Sequence, residues 1–547
     1  MTKNIILSLM AGASLLCSMP ACTDLDETVY DNLPSNAFGS TETEVKALLG
    51  TVYKTLKVYP ADGNFLSLDE MSSSAAVTPT RKGGDWYDGG QYREIYMHTW
   101  TSQTSVIKGA WSNASLAIGT CNANLEVIKA SEILTAETKA QYEAEVRGVR
   151  AFWIYKMMDE WGNIPLVTDY NDKELPVCQP RQTVFDWLLT EVSAIADQCP
   201  DRQGNYAKFT KGAAYTLLAK LYLNAEAWGV TVNGNAYQLA AAACDKVMGM
   251  GYALNPDYKT NFAIDNGDSP EAILAAPFSE SDTGNDTQWQ MMNRTLHYKD
   301  QQALSSGFSA WNGVCAQPDF VNLFDQDDPR FEATYLIGQM YDASTGEAII
   351  TDHGLLLDHT ISVTMLPGTE YDGTNWGAVN QQDGARCQKW PYSTTLTSAM
   401  GNDFYIFRYA DVLLMKAEAL LRSGGSVAEA TALVNQVRER AYGDASHNKA
   451  SVTLEDIRLE RYYELAWELH NRQDDIRFGV YEQGMWSASN CTRKTDAYLR
   501  LFPVSQDAFQ SNDRLTQNPG YPAFNEKSVL FYRILSYTFV RGVTPWG

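Results

Sequence analysis

The chain is poor in the residues that carry most enzyme chemistry. It holds 6 His against 14 Trp and 30 Tyr, which favours stacking on flat rings over His-based metal or acid–base work. No H-E-x-x-H, G-x-S-x-G, Walker or G-x-G-x-x-G string occurs, so the common zinc, acyl-transfer, phosphate and dinucleotide machinery is missing. None of the 9 cysteines stands in a C-x-x-C pair, which leaves no sign of a zinc knuckle or thioredoxin-type redox. Basic residues are outnumbered, 43 Lys and Arg against 66 Asp and Glu, for a formal charge of −23. Nucleic acid and anionic membrane surfaces select basic patches, so both are poor partners. At 547 residues, 45% of them hydrophobic, the chain is long and apolar enough to bury a large core, and length alone allows two to four domains.

Long apolar runs are also scarce. The one that stands out follows Lys3, from Ile5 to Leu16, and ends in Cys17-Ser18-Met19-Pro20-Ala21-Cys22. It is too short to span a bilayer and has the form of a secretory signal over residues 1–21. Ala21-Cys22 fits a bacterial lipobox with Cys22 as the acylated residue. Met19-Pro20 departs from the usual Leu-small pair, and cleavage without lipid is the plainer alternative. Removing residues 1–21 deletes Lys3 and no acid, which takes the formal charge from −23 to −24. Residues 22–40 would then be a lipidated tether, acidic at Asp24, Asp26 and Glu27. Acyl chains would hold the protein while the acidic stretch keeps its body off the lipid. The seven remaining cysteines (121, 178, 199, 244, 315, 387 and 491) are odd in number and read as small buried residues with room for one disulfide.

What the chain does have is a glycine-bracketed loop, Thr80-Arg81-Lys82-Gly83-Gly84-Asp85-Trp86-Tyr87-Asp88-Gly89-Gly90. The Gly pairs let the backbone enter and leave at angles other residues resist. Trp86 and Tyr87 can cover the C–H face of a sugar, while Asp85, Asp88 and Arg81 can bond its hydroxyls. A charged surface turn with a gap-filling Trp would have the same composition.

Around this loop the sequence predicts helices. Thr41-Glu42-Thr43-Glu44 is a capping box, followed by Val45, Leu48, Leu49, Val52 and Leu56 on one stripe. Leu134-Thr135 opens a helix carrying Tyr142, Val146, Val149, Trp153 and Met157, stopped by Gly162 and Pro165. Further helices start at Thr210, run through Tyr237 to Met248, and recur late: one ends at Gly424-Gly425, and Ser426-x-x-Glu429 caps the next. Residues 213–249 and 411–441 look alike, each opening with Leu-Leu-x-Lys (Leu217, Leu413) and closing with an Ala-rich partner. Such units resemble tetratricopeptide helix pairs, unevenly spaced.

Residues 255–405 differ, being rich in Gly, Asn, Asp and Thr, and read as a loop-rich insertion. They carry Trp289, Phe308, Trp311-Asn312-Gly313 and Trp376. Residues 59–110 read as similarly irregular. The expected architecture is mainly α: a helix-pair scaffold over about 41–254 and 406–480 that presents two aromatic loop regions. Asp325-Gln326-Asp327-Asp328-Pro329 begins like a calcium loop but has Pro at position 5 and lacks the Gly at position 6. No cofactor is expected, with a structural calcium elsewhere in the loops left open.

Several strings resemble one family. They are Arg147-x-x-Arg150-Ala151-Phe152-x-x-Tyr155 with Trp161-Gly162-Asn163-Ile164-Pro165-Leu166-Val167, and Phe407-Arg408-Tyr409-Ala410-Asp411-Val412-Leu413-Leu414-Met415-x-Ala417-Glu418-Ala419. Glu460-Arg461-x-x-Glu464-Leu465, Arg472-x-Asp474-Asp475-x-Arg477-Phe478-Gly479, Pro503-Val504 and Gln517-Asn518-Pro519-Gly520-Tyr521 follow. Together they resemble the SusD/RagB surface lipoproteins, across nearly the whole mature chain. The resemblance implies one SusD-like domain over 41–547, with a tetratricopeptide-like fold and no catalysis. It implies a lipid anchor facing outward from a Gram-negative outer membrane, and a SusC-like TonB-dependent transporter as partner. The implied ligand is an oligosaccharide. Trp86 and Trp311 fall where the starch-binding member has aromatic walls, so Trp86, Trp311, Asp85, Arg81, Tyr87, Asp69, Asn312 and Trp289 are the expected ligand contacts. The charged run from Glu460 to Arg477 is expected to hold helices in register through ion pairs. Two other functions stand beside glycan capture: peptide binding on the same scaffold, and glycoside hydrolysis with two of Asp69, Glu70, Asp85 and Asp88.

Overall fold

A computed structural model describes residues 41–524 except 62, 285–286, 306, 366–378, 396–397 and 484–492. The signal segment, Cys22, Trp376 and Cys491 therefore lie outside the described residues. Among the described residues nine helices form the scaffold: α1 (Glu42–Leu56), α2 (Ser105–Ala130), α3 (Ala136–Trp161), α4 (Arg181–Ile195), α5 (Lys211–Trp228), α6 (Ala236–Met248), α7 (Tyr409–Arg422), α8 (Val427–Tyr442) and α9 (Leu454–Leu465). Their starts are written in the sequence. Thr41 makes the capping box with Glu44, and Thr135, Thr210, Asn235 and Ser426 each accept the backbone N–H three residues on. Gly229 and Gly443 end α5 and α8 in the left-handed conformation that side chains resist.

Neighbours in sequence pack as neighbours in space, α2 on α3, α3 on α4 and so on to α7 on α8, with α9 against α7. This is the helix-pair arrangement that the repeated Leu-Leu-x-Lys strings predicted. The repeated lysine also joins the units: Lys220 on α5 reaches Asp411 in the first turn of α7 at 2.7 Å, and Lys416 on α7 reaches Asp245 on α6 at 2.7 Å. One expectation was too broad. Residues 59–110 are not irregular to their end, because α2 begins at Ser105 and runs for 26 residues.

Two short antiparallel pairings fasten the loop regions to this frame. Strands β1 (Ala76–Val77) and β3 (Cys315–Ala316) pair Ala76 with Ala316 and Val77 with Cys315. Strands β2 (Ala272–Ala276) and β4 (Phe404–Arg408) close the base of the 255–405 insertion. The first pairing lies just after Ala75 and just after Gly313, so it draws the two aromatic loops together.

The charged run folds inward. Arg461 bridges Asp411 and Asp474, Arg477 bridges Glu418 and Asp474, and Arg472 pairs with Glu160, all at 2.7–2.8 Å and all buried. Arg408 is held by Glu271, Glu464 and Glu468 at 2.5–2.7 Å. Cys121, Cys199, Cys244, Cys315 and Cys387 are buried free thiols and Cys178 is a half-buried one, so no disulfide joins the described residues. Burial pushes the thiols of Cys121, Cys199 and Cys387 up to about 12, which leaves them unreactive.

Candidate functional site

The Gly pairs of the 80–90 loop do what their spacing predicted. Gly83, Gly84, Gly89 and Gly90 have φ of +96°, +98°, +66° and +87°. Trp86 and Asp88 between them also have positive φ, +61° and +41°, a conformation that is strained for residues with a Cβ. The loop is held there by a direct bond to the second aromatic segment: the Trp86 indole N–H donates to the Trp311 carbonyl oxygen at 2.5 Å. Gly313 lies flat against the Trp86 ring, where a Cβ would stand only 2.5 Å from the indole carbons. Tyr92 tilts against Trp86 at 5.3 Å between centroids, and the Arg294 guanidinium sits 5.1 Å from the Trp86 ring and 5.5 Å from Tyr92. Burial pulls that guanidinium down to about 9, which still leaves it charged at neutral pH.

The main chain of 311–313 is fixed from below. Trp311, Asn312 and Gly313 donate their N–H groups to the carbonyls of Asn293, Leu296 and Arg294 at 2.6–2.8 Å. Asn312 is buried at φ +58°, and its side-chain amide makes no hydrogen bond. Tyr87 is 39% exposed, Trp311 is half-buried, and no ring among the described residues contacts Trp311. Asp85 is half-buried beside Tyr298; burial and then that carboxylate push the Tyr298 hydroxyl up to about 12. The result is a platform of two neighbouring half-open aromatic residues with carboxylates at its edge.

Three expected contacts lie elsewhere. Arg81 is fully buried and donates to four backbone carbonyls, Asn312 at 2.8 Å, Gly313 at 3.2 Å, Asn380 at 2.9 Å and Asp383 at 2.8 Å. It ties three loop segments together from behind. Asp69 is 1% exposed and accepts from Lys156 at 3.1 Å, so it belongs to a core ion pair. Trp289 is 1% exposed and packs on Trp390, Phe404 and Phe278, which makes it a core ring.

Glu70 is buried as well; it accepts from the Leu469 N–H and the Asn471 amide, and burial pushes it up to about 7. Two of the four carboxylates considered for hydrolysis are thus engaged inside the protein. Among the described residues no three metal-binding side chains converge. In the calcium-like turn, Asp328 caps the Pro329–Thr334 helix and pairs with Arg330. Sequence reasoning missed Tyr92, Arg294, Tyr298 and the 380–383 segment. Gly313 alone carried a signal, as a glycine two residues after an expected aromatic contact.

Comparison with known proteins agrees with this architecture. Two family models match, one described as the SusD family over residues 270–521 and one as "Starch-binding associating with outer membrane" over residues 25–223. The chain is a member of the SusD/RagB family. It is 24% identical over 480 residues to the starch-binding protein SusD of Bacteroides thetaiotaomicron, covering 80% of this chain and 82% of that one. It is 26% identical over 497 residues to a SusD-like protein of Bacteroides ovatus, covering 86% and 82%. Among solved structures, a laminarin binding SusD-like protein superposes with a TM-score of 0.69 at 24% identity, over 88% of this chain and all of the other. Surface glycan-binding protein A from Bacteroides thetaiotaomicron, in complex with laminarihexaose, gives a TM-score of 0.68 at 17% identity, over 87% and 99%. These likenesses carry the fold.

Proposed function

We propose that this chain is a non-catalytic, surface-anchored lipoprotein that captures oligosaccharide on the Trp86–Trp311 platform and passes it to a SusC-like TonB-dependent transporter. The observation that carries this is the bond between two aromatic loops 225 residues apart, each of which the sequence had marked for sugar stacking. Family membership supports it, as do relatives whose names specify starch, laminarin and glycan binding. The burial of Asp69 and Glu70 supports capture over hydrolysis. Among the described residues no helix is long and apolar enough to cross a membrane.

Stacking on an open platform gives modest affinity, a Kd of roughly 1 mM to 1 μM, or about −4 to −8 kcal/mol. Such binding allows release into a transporter. Calorimetric titration of the full chain with malto-, laminari-, cello-, xylo- and mannohexaose tests this. At least one should bind, and Trp311→Ala should lose about 2 kcal/mol of that affinity, roughly 30-fold, without a shift in melting temperature. Binding undiminished in Trp311→Ala rules the platform out, and new reducing ends in any incubation rule out a purely binding role.

A further inference from the structure

A cavity of about 930 Å³ opens well away in sequence from the platform, between the start of α2 and the residues after 497. No residue of the 80–90 or 311–313 loops lines it, and the Gln91–Met97 helix intervenes before Trp100 at its edge. We propose that this groove is a second site for neutral oligosaccharide.

The groove has a built aromatic floor. Tyr498 is 38% exposed, and its ring lies on Gly520, where a Cβ would be only 2.4 Å away. Gly520 has φ +93°, so no other residue is comfortable beneath that ring. Tyr521 meets Tyr498 edge-on at 5.0 Å and is locked in place, accepting the Trp100 indole N–H at 2.6 Å and donating to the Leu501 carbonyl at 2.5 Å. Phe524 stacks on Phe509 at 3.9 Å and forms another wall. The Tyr498 ring is therefore held in one orientation with a face open to the groove.

The polar lining selects the ligand class. Gln103, Gln506 and Gln510 line the groove, and their side-chain amides make no hydrogen bond to any described residue. Gln517, by contrast, is occupied on both sides by Val504. A primary amide both donates and accepts, which is what a sugar hydroxyl requires. Among the described residues the only charges in the lining are Lys108 and Asp507, 2.8 Å apart, and they neutralise each other. Anionic and cationic ligands find no net countercharge among these residues. An oriented ring with free amides and no net charge fits a neutral sugar.

This inference rests on the carbohydrate reading of the platform, so its test separates the two sites. Trp311→Ala weakens the platform roughly 30-fold, and saturation-transfer NMR with the hexaose that binds the full chain best then reads what remains. Residual binding in the millimolar range is expected. It should fall at least ~10-fold in Trp311→Ala/Tyr498→Ala and ~3-fold in Trp311→Ala/Gln510→Ala, with melting temperatures unchanged. No residual binding in Trp311→Ala, or residual binding that survives Tyr498→Ala, overturns the second site alone. A full chain that binds no hexaose overturns capture at both sites.

Discussion

Arg408 and Arg81 are both fully buried guanidiniums, neutralised in opposite ways. Arg408, at the join between β4 and α7, is ringed by the carboxylates of Glu271, Glu464 and Glu468. Arg81, behind the platform, meets only peptide carbonyls from two loop segments. Acid-matched charge suits the scaffold, where full-length helices can place several side chains around one cation. Dipole-matched charge suits loops, which supply few ordered side chains but many carbonyls left over from absent secondary structure. The difference teaches how this protein divides its work: ion pairs fix the frame, and backbone geometry shapes the proposed ligand face.

Substitution at the two arginines should expose the contrast. Arg408→Ala removes the shared cation of three buried carboxylates, which keep Arg440 (Glu271), Arg440 and Arg330 (Glu464) and Lys389 (Glu468), and should cost about 3 kcal/mol of stability. Urea denaturation followed by circular dichroism measures it; an unchanged midpoint would mean the network contributes little. Acid attacks the same frame. Burial alone would push the Asp411 carboxyl up, but Lys220 and Arg461 more than offset that and hold it well below the usual range. Glu418 and Glu464 are depressed likewise, against the pull of burial, by Arg477 and by Arg440 and Arg408 respectively. Depressed carboxylates contribute stability that is present above their unfolded value near pH 4 and lost as pH falls through the lower folded value. Melting temperature should therefore drop steeply below about pH 4, and Arg408→Ala should flatten that limb. Glu70, raised to about 7, works in the opposite sense, and its contribution declines as pH rises from about 4.5 to 7.

On the loop side the effects should be smaller and should appear first in binding. Arg81→Ala leaves four carbonyls without a donor. Water can reach such groups near a loop more easily than buried carboxylates in a core, so the expected cost is about 2 kcal/mol. Glycan affinity should fall with it by roughly 10-fold, because the 81–90, 311–313 and 380–383 segments lose their common tie. Calorimetry showing full affinity would disconnect Arg81 from the platform. Trp86→Phe is the mildest change. It keeps an aromatic ring in the loop but removes the N–H donated to the Trp311 carbonyl, worth about 1 kcal/mol, and the indole carbons that lie against Gly313, so glycan binding at least roughly fivefold weaker is expected.

The frame was largely legible in the sequence because capping threonines and apolar stripes are local signals. α2 lacks the cap, since Thr104 makes no side-chain cap bond. Its stripe is present, with Ile107, Trp111, Ala114, Ile118, Leu125 and Ile128 all buried, but small and amide residues such as Ala110, Ala117, Asn122 and Asn124 dilute it. Without a start signal the helix reads as part of the irregular region. The Gly-bracketed loop was legible because positive φ leaves a mark in residue choice. Which of its neighbours face outward was not. Trp289 and Trp311 sit in equally irregular sequence, yet one is sealed among three rings and the other is half-open. Arg81 misled for a related reason, since a cation satisfied by carbonyls leaves no complementary acid to find. Arg294 and the 380–383 segment reach the site only through tertiary contacts.

The bond between the two aromatic loops ends on a peptide oxygen, and every residue type has one. Position 311 therefore works as a socket: its main chain stays anchored whatever side chain it bears, and the proposed ligand contact is left to that half-buried side chain. A single codon change there could retune what the protein grips without redrawing the loop, and repertoire can drift at this position faster than architecture.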